Sequence, residues 1–263
     1  MWDKSNTLFV FEGRETEDNI VSKLEKNLMG ETLAIKCVYG SDIYQLYRKL
    51  KEEDFAIDIV SFLKSRSAYN RKMLEGYDND SFAYVYFFFD YDAHATLASD
   101  EQIAEMLEFF NNETENGKLF ISYPMVEAIK HFKDKASFQH LAVKCKRANC
   151  PHIADCPHDR ICMVEPHYKT LVPTDNDKEY AKLDSPDKWK KLVDAHLCKA
   201  NDIVNGEYSR PKALILQADI FAHQVERFVS QDCPLVAVLS AFPLFAQDYF
   251  GVETLDRKLN TIP

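Results

Sequence analysis

Acidic side chains stand directly after two apolar segments whose composition is typical of β-strands. Glu12 follows the run Thr7–Phe11, and Asp90 and Asp92 follow Phe82–Phe89, which is apolar at every position. Residues i and i+2 of an extended chain point to the same side, so Asp90 and Asp92 can converge on one ion. Carboxylate oxygens are the ligands that hard divalent cations prefer. Metal ions held in this way suit in-line phosphoryl chemistry, so the sequence predicts a metal site that acts on phosphate esters.

Each of these acids also has an ordinary structural interpretation. An aspartate after a strand commonly caps the helix that follows. Glu127 is predicted early in a helix that begins near Met125, where the helix dipole by itself favours a carboxylate. The Glu12-Gly13 pair favours the metal interpretation, because two independent strand ends then carry acids. Glu127, which also follows a predicted strand, is a candidate for a further metal ligand.

Strand and helix patterns alternate over the first 135 residues and would position these acids. The predicted strands are Thr7–Phe11, Leu33–Tyr39, Ala56–Val60, Phe82–Phe89 and Leu119–Tyr123. The predicted helices are Asp18–Leu28, a helix capped by Ser41, a helix capped by Ser99 and a helix from Met125. Such an alternation predicts an α/β fold, a parallel sheet with helices on both faces. Ligands of such sheets bind at the carboxyl ends of the strands, where the acids stand.

The second half of the chain has a different pattern. Asp187–Ala200 and Ala213–Val229 are predicted amphipathic helices, and Leu235–Phe250 is a predicted apolar helical hairpin interrupted at Pro243. We therefore predict a metal-binding domain over residues 1–135, a Cys/His-rich segment over 136–170 and a helical domain over 171–263.

The Cys/His-rich segment is a candidate zinc site. Its cysteines have the spacing C-x4-C-x5-C-x5-C, and the tripeptide Cys-Pro-His occurs in it twice. The candidate ligands are Cys145, Cys150, Cys156, Cys162, His152 and His158. Structural zinc needs four such ligands, but the paired C-x2-C that usually marks a zinc site is absent. A loop of reduced, packed thiols is the alternative.

Composition narrows the function further. A formal net charge of −10 excludes a generally basic protein that coats nucleic acid, but a metal ion would reverse the local charge of an acidic site. There is no G-x4-G-K-[ST] motif, so nucleotide sensing must come from another protein. No apolar run has the length of a membrane span, and Met1-Trp2-Asp3-Lys4 lacks the layout of a secretion signal. These features predict a cytoplasmic protein with reduced thiols and no membrane association.

Two motifs resemble a known family. FVFEGRETE at Phe9–Glu17 and YFFFDYD at Tyr86–Asp92 resemble the Toprim domain, the metal-binding α/β domain of topoisomerases, bacterial primases, recombination proteins and OLD-family nucleases. The E-G-x-x-T-E pattern at Glu12–Glu17 and the segment Tyr123–Glu127 are more similar to the small OLD-like Toprim proteins of bacterial phage-defence systems. The resemblance covers roughly residues 6–135.

The resemblance implies a nuclease that uses Mg²⁺ or Mn²⁺ to cleave DNA or RNA as the effector of an anti-phage system. It assigns Glu12 as the acid/base or metal-bridging carboxylate, Asp90 and Asp92 as metal ligands, and Glu127 as a further ligand. It also implies control by a partner ABC-type ATPase. The apolar stretch 235–245 is a candidate docking surface for it, with packing inside the core of this chain as the more expected alternative.

The chain departs from the family pattern in two places. OLD nucleases usually have a second acid four residues after the first, where this chain has Thr16. Glu15 and Glu17 flank that position, so the ligand of the second metal ion is open, with Glu17 a candidate. The distance from Glu12 to Asp90 implies an insertion around 51–80. These departures favour the alternative, a catalytically degenerate Toprim-like module that docks on a partner ATPase or a phage trigger. Nucleotidyl transfer of the primase type ranks last.

Overall fold

A five-stranded, mostly parallel sheet flanked by helices forms the centre of the molecule, so the α/β prediction is confirmed. The computed structural model describes residues 7–30, 34–93, 95, 97–144, 168–169, 172, 180–231 and 234–260. The strands of the sheet are β1 (Thr7–Phe11), β2 (Ile35–Val38), β3 (Tyr84–Asp90), β4 (Asn111–Asn112) and β5 (Gly117–Ser122). Their order is β2-β1-β3-β5-β4, and only the short β4 runs antiparallel to its neighbour.

Helices fill most of the remaining described chain. They are α1 (Glu15–Leu24), α2 (Ile43–Glu52), α3 (Ile59–Arg66), α4 (Ala68–Met73), α5 (Asp100–Phe109), α6 (Lys135–Gln139), α7 (Pro186–Asn205), α8 (Gln217–Gln224), α9 (Ala241–Phe250) and α10 (Val252–Asn260). One π-helical turn follows α1 (Glu25–Met29) and another follows α8 (Val225–Val229), and 3₁₀ turns span Asn79–Ser81 and Val126–Lys130. Among these helices, none combines the length and the apolar character that a membrane crossing requires.

The predicted central strand is confirmed as β3, which is buried on both faces. Successive side chains of a strand point to opposite faces. The ring of Phe87 meets that of Phe110 at 4.5 Å on one face, and the ring of Phe88 meets that of Phe242 at 5.3 Å on the other. This burial explains why β3 is apolar up to Phe89, and it fixes the register that brings Asp90 to the end of the sheet.

The C-terminal apolar stretch belongs to the core of the sheet. Leu235–Ala237 is strand β7, which pairs antiparallel with β6 (Ala142–Lys144), so the predicted helical hairpin is wrong in its first part. Pro243 lies in the first turn of α9, where a missing N–H group breaks no helical hydrogen bond, so it does not interrupt the helix. Phe245 is 1% exposed and its ring lies 5.2 Å from that of Phe9. This stretch is therefore not available as a docking surface, and that prediction is wrong.

The predicted insertion around residues 51–80 is helical. Asp58 caps α3 by accepting a hydrogen bond from Ser61 N at 3.0 Å, so the predicted strand Ala56–Val60 is wrong. Asn70 of α4 is fully buried and bonds both polar backbone groups of Val38, at 3.0 and 2.7 Å. The segment is thereby fastened to the end of β2. The predicted division into domains at residues 135 and 171 stays a prediction.

Candidate metal centre at the carboxyl edge of the sheet

Acidic side chains follow all four parallel strands at the edge where those strands end. Asp42 follows β2, Glu12 follows β1, Glu127 follows β5, and β3 ends in Asp90 with Asp92 two residues later. Parallel strands present their carboxyl ends at one edge, where open α/β sheets bind ligands. We call these residues, with Glu17, the carboxyl-edge cluster: Glu12, Glu17, Asp42, Asp90, Asp92 and Glu127.

Glu12 is held at the centre of this cluster by backbone hydrogen bonds. Its N–H donates to Phe88 O at 3.1 Å, and its side-chain Oε2 accepts the N–H of Asp90 at 3.0 Å. Burial raises the pKa of Glu12 from 4.5 to about 8, against the opposing effect of the Asp90 N–H, and the charges of Asp92, Glu17 and Asp42 raise it further. The carboxyl group of Glu12 is therefore poised to exchange a proton near neutral pH.

Asp90 is the most deeply buried carboxylate of the cluster, and the charges that raise its pKa come from neighbouring acids. Burial raises its pKa well above the ordinary value, and the charges of Glu12, Glu17, Glu127 and Asp92 raise it further. Within the described part of the chain, no cation forms an ion pair with Asp90, Glu12 or Glu17. Like charges gathered in a poorly solvated place oppose ionisation, so this site is electrostatically suited to a cation.

Glu17 joins the cluster, and Glu15 does not. Glu17 is 7% exposed and its Oε1 accepts the N–H of Gly13 at 2.9 Å, whereas Glu15 is exposed at the start of α1. A Cβ atom on Gly13 would lie only 3.1 Å from Oε1 of Glu17, so a side chain there would crowd this contact. Of the two acids that flank Thr16, the fold thus turns Glu17 towards Glu12 and Asp90.

Glu127 lies in a 3₁₀ turn, not in the predicted α-helix. Its side chain is 14% exposed, and Lys169 Nζ lies 3.8 Å from Oε1. The other oxygen, Oε2, is buried and has no hydrogen-bond partner among the residues that the structure describes. A buried polar atom without a partner is costly, which favours an additional ligand at this position.

Asp42 was missed by the sequence analysis, which placed the cap of α2 at Ser41. Asp42 is the cap, with its Oδ1 accepting Gln45 N at 2.9 Å, and its charge also acts on Glu12. A backbone hydrogen bond also joins the loop before Asp42 to Glu12, because Gly40 N donates to Glu12 O at 3.0 Å. An acid shortly after the second predicted strand was the signal that could have found it.

The chemistry of this donor set fits a hard divalent cation, although its side chains do not already enclose one. Over the described ranges, no three His, Cys, Asp or Glu side chains are arranged to hold a metal ion. Mg²⁺ retains several waters and is usually held by only one or two carboxylates together with substrate phosphates. The uncompensated carboxylates and the buried Oε2 of Glu127 suit this kind of open site.

The predicted zinc ligands lie outside the described residues, so the zinc prediction stays untested. No protein-family model, curated protein or solved structure significantly matches the chain. The Toprim resemblance accordingly depends on the residues around Glu12 and Asp90 themselves.

Proposed function

We propose that the protein is a divalent-metal-dependent nuclease whose catalytic residues are Glu12, Asp90 and Asp92. The observation that carries the proposal is the run of acids after four neighbouring parallel strands, with Asp90 buried, Glu12 half-buried and neither paired with a described cation. Burying carboxylates without a counter-charge is costly, so a fold that retains such a set is expected to use it.

The residues have distinct tasks in this proposal. Asp90 and Asp92 would hold Mg²⁺ or Mn²⁺, with Glu127 or Glu17 as further ligands, and a bound cation would stabilise the attacking and leaving oxygens of phosphodiester cleavage. Glu12 would take up or release a proton, for which a pKa of about 8 is suited. The Asp90 N–H fixes one oxygen of Glu12, so the proton-transferring group is oriented in advance.

A cleavage assay with matched variants tests this proposal. Labelled plasmid, linear DNA and tRNA would be incubated with the protein in Mg²⁺, Mn²⁺ or EDTA. We expect metal-dependent cleavage by the parent protein, its loss in Glu12→Gln and Asp90→Asn, and its retention in Glu15→Gln, which removes an exposed acid of the same loop and helix. Binding of these substrates without cleavage in any metal would instead support the non-catalytic module.

The family relationship and the partner are finer proposals. We propose a Toprim-like, OLD-like effector of anti-phage defence whose activity is controlled by a partner ABC-type ATPase, supported by the E-G and D-x-D motifs at strand ends and by the lack of a P-loop. Gel filtration with a co-expressed ATPase from the same locus tests the partnership. An ATPase that neither co-elutes with the chain nor changes its cleavage rate would contradict it.

We also propose that the Cys/His-rich segment binds one structural zinc ion, on the support of its cysteine spacing alone. Elemental analysis of protein purified under reducing conditions should give close to one zinc per chain. A zinc content near zero would leave the loop of reduced thiols as the explanation.

A further inference from the structure

A second site of opposite charge lies beside the carboxyl-edge cluster. A cleft of about 350 Å³, including the part open to solvent, lies between α2 and the end of α3. Its lining residues are Tyr39, Gln45, Arg48, Lys49, Glu52 and Arg66. These include three cations and one carboxylate, in a protein whose formal net charge is −10.

Two of the three cations have no acidic partner. Lys49 Nζ pairs with Glu52 at 2.5 Å, which accounts for the only carboxylate in the lining. Within the described chain, neither Arg48 nor Arg66 forms an ion pair. The cleft therefore keeps a positive charge that internal contacts do not neutralise.

Arg66 is held in position while part of its guanidinium stays available. Its Nε donates to Tyr39 O at 3.2 Å, and the guanidinium carbon lies 4.4 Å from the centre of the Tyr39 ring. A guanidinium that is already oriented loses little conformational freedom when its terminal nitrogens bind an anion. This orientation depends on α3, the helix that the sequence analysis predicted only as an insertion.

The backbone joins the cleft to the carboxyl-edge cluster. Tyr39 N donates to Phe11 O at 2.8 Å, and the next residue, Gly40, donates to Glu12 O at 3.0 Å. The charge of Asp42 acts on both Glu12 and Tyr39, which also places the two sites close together. A polymer with regularly spaced phosphates could therefore occupy both sites at once.

We infer that this cleft binds a backbone phosphate of a nucleic acid strand whose neighbouring phosphates reach the carboxyl-edge cluster. The inference rests on the proposed nuclease function for its choice of ligand. Contacts to the phosphate backbone position a nucleic acid without reading its sequence, and arginine is suited to them. Arg48 and Arg66 are positioning groups in this scheme, and the negative charge of the protein elsewhere directs the strand to this cleft.

Fluorescence anisotropy with labelled DNA and RNA oligonucleotides in Mg²⁺, with all proteins carrying Glu12→Gln, tests the inference without cleavage. We expect Arg48→Ala and Arg66→Ala each to raise Kd by about 5-fold and to reduce the salt dependence of binding by about one phosphate contact. Arg71→Ala removes an exposed arginine of the adjacent helix α4 and should leave Kd unchanged.

The outcomes separate this inference from the proposed function. Unchanged Kd in Arg48→Ala, which does not contact Tyr39, would overturn the inference even if metal-dependent cleavage occurs, and so would an absence of binding by the parent protein. Weakened binding in both arginine variants, with no cleavage under any metal condition, would support the cleft and reject the nuclease. Loss of oligonucleotide binding in inorganic phosphate at constant ionic strength would support a phosphate-specific site.

Discussion

Poorly solvated carboxylates occur in two regions of this molecule, and their electrostatic surroundings are opposite. Asp194 of α7 pairs with Lys135 at 2.6 Å and with the guanidinium of Arg210. Burial by itself would raise the pKa of Asp194, but hydrogen bonds and charges from Lys135 and Arg210 hold it below its ordinary value. At the carboxyl edge of the sheet, burial and surrounding acids raise the pKa of both Glu12 and Asp90.

The difference shows which carboxylates stabilise the fold and which do not. Asp194 joins α6, α7 and the loop before α8 through its two cations, so its charge contributes to folding. The charges of Glu12 and Asp90 oppose folding, because burial and like-charge repulsion both disfavour them. Asp194 has cationic partners and the described chain provides none for Glu12 and Asp90, which is the basis for proposing that a cation from solution binds there.

The largest expected effect concerns activity. Asp90→Asn should lower the rate of metal-dependent cleavage at least about 100-fold, because it removes a proposed metal ligand from the site. Asp194→Asn makes the same chemical change in the compensated group and should retain the parent rate per folded molecule. Initial rates on a labelled substrate would be measured at a temperature where both variants are folded. Equal losses in the two variants would remove the functional distinction between the groups.

For stability, the larger loss is expected in Asp194→Asn and not in Asp90→Asn. In EDTA, Asp194→Asn should lower the free energy of unfolding by about 1–2 kcal/mol, because it weakens charged hydrogen bonds to Lys135 and Arg210. Asp90→Asn should be neutral or raise it by up to about 1 kcal/mol, because it removes a buried charge from an acidic site. Urea unfolding monitored by circular dichroism measures both values. A large destabilisation by Asp90→Asn would show that Asp90 serves the fold.

A smaller effect is expected in the pH dependence of stability. The pKa of Glu12 is raised from 4.5 to about 8, so the folded state binds more protons than the unfolded state between these values. The contribution of Glu12 is therefore full below about pH 4.5 and is lost as the pH rises through 8, with a slope of at most about 1.4 kcal/mol per pH unit. The pH dependence of the contribution of Asp194 to stability has the opposite sign. Because its pKa is lowered, this contribution is lost on acidification.

Urea unfolding in EDTA across pH 5–9, for the parent and for Glu12→Gln, would measure this slope. The parent should lose stability relative to Glu12→Gln as the pH rises. Identical profiles would mean that Glu12 ionises in the folded protein as freely as in solution.

Local sequence patterns predicted the parts of the site that local patterns control. The apolar run before Asp90 required a strand buried on both faces, and Glu12 and Asp90 then had to share the edge of a parallel sheet. The effect of Asp42 on Glu12 was not predicted. Asp42 caps α2, and a cap position does not reveal that the same charge also acts on Glu12. The choice of Glu17 over Glu15 depended on the start of α1, which lies earlier than the apolar periodicity suggested.

Features that depend on long-range packing could not be predicted. β7 has only three residues and exists because it pairs with β6, far away in the chain. The helix α3 has only eight residues, and Asp58 at its start was assigned to a strand. The cleft beside Tyr39 depends on α3 bringing Arg66 back to the end of β2. Its positive charge is therefore a product of the tertiary structure.

The central claim is that the carboxyl-edge cluster binds a divalent cation, and isothermal titration calorimetry with Mn²⁺ tests it most directly. The parent protein at pH 7.5 should bind Mn²⁺ with release of protons, because Glu12, with its pKa raised to about 8, is partly protonated without the metal. Repeating the titration in buffers of different ionisation enthalpy measures that release. Glu12→Gln should release fewer protons and Asp90→Asn should bind Mn²⁺ at least about tenfold more weakly, whereas Asp194→Asn should match the parent. Absence of Mn²⁺ binding by the folded parent, or equal binding by Asp90→Asn, would contradict the account.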